Sequence, residues 1–121
     1  MQNLEYDPAT GNYLLCVYPG RKERYPNFPL YIVDGGRVPV EKPLPGMSGS
    51  GLTLSLWEAG VRDAATGICG WRFPYGSTGI AALGDGLFYV SHDGRAGDRY
   101  DARIHLYRWT GDAPDPFILL A

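Results

Sequence analysis

The chain reads as an all-β domain of antiparallel meanders, and three observations carry that reading. Turn formers and strand-favouring aromatics are abundant, with 17 Gly, 10 Pro and 9 Tyr, whereas the strong helix formers Lys and Glu are sparse. Short apolar runs recur between Gly-, Pro- and Asp-bearing turns. Finally, Ile80 to Gly111 repeats Leu4 to Gly35 with small gaps: Gly11 corresponds to Gly86, Gly20-Arg21 to Gly94-Arg95, Arg24-Tyr25 to Arg99-Tyr100, Leu30-Tyr31 to Leu106-Tyr107 and Gly35 to Gly111, at offsets of 74 to 76 residues. So small a drift points to a duplicated β-unit, repeat units 4–35 and 80–111 within one domain spanning 1–121.

Tyr6 to Asn12, YDPATGN, is a turn in which Pro8 fixes φ and Gly11 accepts a positive one. Tyr13 to Tyr18, YLLCVY, is apolar at every position and is expected to be a strand buried on both faces. Pro19-Gly20 ends it, Arg21 to Pro29 forms a polar loop, Leu30 to Val33 is a strand and Asp34-Gly35-Gly36 a turn. From Val38 to Leu44 the prolines allow at most an edge strand, and Gly46 to Gly51, GMSGSG, is the expected joint between the halves. Leu52, Leu54 and Leu56 alternate with Thr53, Ser55 and Trp57, predicting a half-buried strand. A short helix competes at 57–65, where Trp57, Val61 and Ala64 or Ala65 share helical spacing, although Gly60 weakens it.

Asp63 to Gly67, DAATG, repeats the DPATG turn, and a strand is expected over Ile68 to Phe73. Pro74 to Gly79 is a loop, Gly84-Asp85-Gly86 a hairpin turn and Leu87 to His92 a strand. Asp93 to Ala102 reads as a polar loop, Arg103 to Trp109 as a strand, Thr110 to Pro116 as a loop and Phe117 to Leu120, FILL, as a closing strand.

A chain of 121 residues can bury a sizeable core without metal or disulfide staples. Its net charge of −2 provides no global basic field for nucleic acid, and no apolar window approaches a membrane span. The polar opening MQNLEYDPATGN carries no leader pattern, so a soluble cytoplasmic protein is expected, with Cys16 and Cys69 as buried thiols.

Asp63 to Pro74, DAATGICGWRFP, resembles the repeat of quinoprotein-type β-propellers, in which an Asp-x-x-Thr-Gly turn precedes a strand bearing a Trp four residues after the glycine, here Trp71. DPATGNYLL and GDGLFYVSHDG look like propeller blade hairpins. A closed propeller needs at least four blades of roughly forty residues, so the resemblance implies a partial propeller completed by homo-oligomerisation, or a sandwich or barrel. It carries over no catalytic motif and no cofactor residue.

The sharpest candidate site is the repeated loop pair: Arg21, Arg24 and Tyr25 in one copy, and Arg95, Arg99 and Tyr100 in the other. Arg offers a planar fork to carboxylate, phosphate or sugar hydroxyls, and Tyr a rigid apolar face with a polar tip. The competing and favoured reading pairs each Arg with Glu23, Asp98 or Asp101 simply to order the loop. Asp93, Asp98 and Asp101 lack calcium-loop spacing and read as turn formers; as a glycosidase pair they have no supporting signature. His92 and His105 are expected to face each other across the second hairpin, but without zinc-site spacing. Ser48 in GMSGSG has neither the final glycine nor the strand of a nucleophile elbow. Trp57, Trp71 and Trp109 would either stack on a sugar or pack the core.

The expected function is a non-catalytic binding or interaction module for a small polar or carbohydrate ligand, acting as a homo-oligomer without cofactor or metal. The alternatives are a small hydrolase using Asp93, Asp98 or His92, and a purely structural assembly unit.

Overall fold

A computed structural model describes residues 2–121. Its described residues form eleven strands and no helix: β1 (Asn3–Asp7), β2 (Asn12–Cys16), β3 (Leu30–Val33), β4 (Val40–Pro43), β5 (Ser50–Thr53), β6 (Val61–Arg62), β7 (Cys69–Gly70), β8 (Ile80–Gly84), β9 (Leu87–Ala96), β10 (Arg99–Trp109) and β11 (Phe117–Leu119). All pairings are antiparallel. They make a three-stranded sheet β1-β2-β3, a four-stranded sheet β11-β10-β9-β8 and two ribbons, β4-β5 and β6-β7; none of these closes into a barrel.

Side chains stitch the two sheets together where no backbone ladder does. The amide of Asn3 donates to Gly76 O at 2.9 Å and Ser77 O at 2.8 Å, and Ala82 N–H on β8 donates to Glu5 Oε1 at 2.9 Å. On the far side β3 is capped by single bonds rather than by a strand: Trp57 N–H donates to Ile32 O at 2.7 Å and Trp71 N–H to Leu30 O at 2.9 Å.

One buried cluster draws on both sheets: Leu14, Cys16, Leu30 and Ile32 from the first, Phe88, Val90, Tyr107 and Phe117 from the second, with Trp71 and Phe73 between them. Phe73 lies 4.4 Å from Phe117 and 5.2 Å from Tyr107 between ring centroids, and Trp71 meets Trp109 edge-on at 5.5 Å. Such tilted contacts set the quadrupole of one ring against another and add about 1 kcal/mol beyond the burial itself. Close packing also fixes Gly76, where a Cβ would fall on Cys16 Sγ. Both cysteines are free and buried, as expected, and burial with Glu5 nearby pushes the Cys16 thiol up to about 12.

The repeated turn formula gives the same turn twice. In Asp7 to Asn12, Thr10 Oγ1 donates to Asp7 Oδ2 at 2.8 Å and Gly11 N–H to Asp7 O at 2.8 Å. In Asp63 to Ile68, Thr66 Oγ1 donates to Asp63 Oδ2 at 2.6 Å and Gly67 N–H to Asp63 O at 2.8 Å. Gly11 and Gly67 adopt φ of 76° and 74°, a region that penalises a Cβ.

Leu4–Gly35 falls in the meander β1-β2-β3 and Ile80–Gly111 in the meander β8-β9-β10. Their burial is out of step: Leu30 is buried and Tyr31 half-buried, whereas Tyr107 is buried and Leu106 half-buried.

Several expectations are corrected. The short helix at 57–65 does not form; the segment is irregular up to β6, and Gly60 takes φ 95°, where a Cβ would come 2.6 Å from Gly70 O. β2 alternates instead of being buried on both faces, with Tyr13 exposed and Leu15 half-buried. Gly46 to Gly49 of GMSGSG lie in the loop of the β4-β5 hairpin and Ser50-Gly51 open β5, so the stretch is not a joint between halves, and Leu52 and Leu54 point to solvent rather than into the core. The polar stretch Asp93 to Ala102 is a continuation of the β9-β10 ladder up to Ala96↔Arg99, because polar residues satisfy an exposed two-stranded arm as well as a loop. Gly97, at φ 60°, begins the two-residue turn, the position at which a II′ hairpin requires glycine.

Candidate functional site

The first Arg-Tyr loop forms a built structure over a cleft. Beyond Cys16, Val17 N–H donates to Pro29 O at 2.9 Å, after which Pro19 and Gly20 turn the chain out of the sheet. The side-chain amide of Asn27 donates to Lys22 O at 2.8 Å and Tyr25 O at 3.0 Å, tying the loop to itself while Asn27 takes φ 53°. Asn tolerates this left-handed conformation better than most residues. Phe28 is buried, its N–H donates to Tyr31 Oη at 3.1 Å, and its ring covers Gly70 so closely that a Cβ there would lie 2.5 Å from it.

Beneath this loop is a cleft of about 610 Å³, within the range of ligand sites. Leu15, Val17, Tyr18, Phe28, Tyr31 and Ile68 supply apolar wall, and Arg21, Lys22 and Tyr25 also line it. Among the described residues no acidic side chain lines it, so Arg21 and Lys22 set its charge. Arg24 does not line the cleft; its guanidinium lies 4.9 Å over the Tyr25 ring.

The second Arg-Tyr set is elsewhere. Arg95 and Tyr100 are paired across the exposed β9-β10 arm, with the Arg95 guanidinium 5.1 Å over the Tyr100 ring and Arg95 Nε–H donating to Gly97 O at 3.1 Å. Arg99 is exposed beside the turn, and none of these three residues lines the cleft. Both segments therefore stack an Arg on a Tyr, but they do not converge on one pocket. The acids are likewise strung out: Asp93 is opposite Ala102, Asp101 opposite Gly94, and Asp98 sits in the turn.

His92 and His105 do face each other, with ring centroids 4.3 Å apart. The cluster extends further than sequence reading anticipates. Tyr75 stacks on His92 at 3.7 Å, and Tyr107 Oη lies 2.7 Å from His92 Nε2. Burial, then His105, lowers the His92 pKa, with Asp93 opposing; burial, then Tyr75 and Asp115, raises that of Tyr107. Strand parity alone places His92, His105 and Tyr107 on one face, whereas Tyr75 arrives from the Pro74 to Gly79 loop and left no signal. Among the described residues no group of three or more His, Cys, Asp and Glu is placed to hold a metal ion, and no helix is long and apolar enough to cross a membrane.

No family model, curated protein or solved structure matches the chain.

Proposed function

We propose that the protein is a non-catalytic binding module whose ligand occupies the cleft under the Pro19 to Pro29 connection. The observation that carries this is a largely apolar cleft, rich in aromatic wall, whose charged lining consists of Arg21 and Lys22 without a carboxylate. Such a lining favours an aromatic anion over a wholly polar ligand: the ring displaces water from the Tyr and Phe walls while the guanidinium forks a carboxylate or phosphate. Arg24 supports the site indirectly, by stacking on Tyr25. Isothermal titration with 1-naphthoate and the neutral 1-naphthamide tests the reading. Naphthoate is expected to bind tighter, and the double variant Arg21→Ala/Lys22→Ala to erase the difference. Equal binding of the two compounds to the unaltered protein, or binding of neither, contradicts it.

The module is read as a duplicated β-unit acting as a cytoplasmic homo-oligomer. Gly11 and Gly86 support the duplication, each closing the first hairpin of its meander at φ 76° and 77°. Exposed Tyr89, Ile104 and Ile118 support association: the register places them on one face of the four-stranded sheet around Leu106, and a contiguous apolar patch is better covered than solvated. Light scattering is expected to give a species larger than the 13.3 kDa chain; a strict monomer contradicts the oligomer.

A further inference from the structure

A second cavity, of about 310 Å³, opens where the β1-β2 turn meets two indoles, and it shares no lining residue with the first cleft. Trp57, 44 % exposed, and the half-buried Trp109 line it together with Leu14 and Ile32 of the core. Its polar lining comes from the turn: Asp7, Thr10 and Asn12. No cation lines it.

Two of these polar groups retain unused hydrogen-bonding capacity of opposite sense. The Asp7 carboxylate, 2 % exposed, accepts from Ala9 N–H at 3.1 Å and from Thr10 Oγ1 at 2.8 Å. Those two bonds leave about half of a carboxylate's acceptor sites. Asn12, 8 % exposed, accepts from Gly35 N–H at 3.1 Å through Oδ1, which fixes the orientation of the amide and leaves Nδ2 as a donor. The twin turn serves as an internal control. Asp63, Thr66 and Gly67 make the same bonds with Ile68 at the position of Asn12, so the turn itself does not require an amide there.

We propose that this cavity binds a single neutral pyranose sugar. A sugar hydroxyl is donor and acceptor at once, and can donate to the Asp7 carboxylate while accepting from Asn12 Nδ2–H. The apolar C–H face of the ring suits an indole wall, for which Trp57 and Trp109 are available. A carboxylate without a neighbouring cation in the lining disfavours an anionic ligand, which separates this site from the Arg21 cleft and makes the inference independent of that reading.

The test is titration of the whole protein with D-glucose, D-galactose, D-mannose and N-acetyl-D-glucosamine, one at a time, followed by tryptophan fluorescence and calorimetry. At least one sugar is expected to bind saturably with a Kd on the order of 1 mM. Asn12→Asp keeps an acceptor for Gly35 N–H but removes the donors, and Trp57→Ala removes a largely exposed wall. Each is expected to weaken that sugar by about tenfold or more, while Arg21→Ala leaves it unchanged. Saturable binding by none of the four sugars overturns the proposal, and so does sugar binding undiminished in Trp57→Ala. That variant alters a surface side chain, so the test survives even if Asn12→Asp fails to fold.

Discussion

His92 shows how a single residue links packing to pH. Burial, with Tyr75 stacked on one face, and then the neighbouring His105 outweigh Asp93, so charging the ring costs more in the folded chain than in the unfolded one. Its folded pKa lies below the usual 6.5, so the unfolded state holds more protons in the interval between the two values. Stability contributed by the neutral ring is therefore complete above pH 6.5 and is lost as the pH falls through that value toward the lower folded pKa. Urea unfolding as a function of pH should show this decline, and His92→Gln should flatten it; an unchanged slope in the variant would place the cause in another group. At this scale much was legible. The facing of His92 and His105 and the burial of both cysteines follow from strand parity and composition, but the stacking of Tyr75 depends on a loop trajectory that no local pattern encodes.

Among the elements, the turns were the most legible and the faces the least. DPATG and DAATG form the same hydrogen-bonded turn because Asp, Thr and Gly satisfy it locally, whatever surrounds them. The parity of Leu52 and Leu54 predicted which residues share a side but not that this side meets solvent, which depends on where the ribbon docks. The polar residues of the β9-β10 arm read as a loop, yet backbone pairing needs no apolar side chain. The arm is exposed, and the Arg95-Tyr100 stack is its own local contact, so Arg99→Ala/Tyr100→Ala should change unfolding free energy by less than about 1 kcal/mol. Thermal and urea melts check this. A loss of several kcal/mol would show that the arm packs against something essential. Of the six expected ligand contacts, Arg21 and Tyr25 line the cleft, Arg24 braces Tyr25, and Arg95, Arg99 and Tyr100 lie apart on the arm.

For the molecule as a whole, the all-β class and the antiparallel meanders were readable from turn formers and short apolar runs, whereas the way the two sheets join was not. That union depends on side chains reaching across, Asn3 to Gly76 and Glu5 to Ala82, and on aromatic rings meeting in one core. The cleft is a product of the same assembly, since Ile68 and Leu56 are brought beside the Tyr18 to Tyr31 segment from distant parts of the chain. Amide chemical-shift mapping during a 1-naphthoate titration tests its use as a ligand site most directly. Saturable shifts are expected to concentrate on residues 15–31 together with Leu56 and Ile68, with the β9-β10 arm silent. Shifts centred on Arg95, Arg99 and Tyr100, or no saturable shift at all, would contradict it.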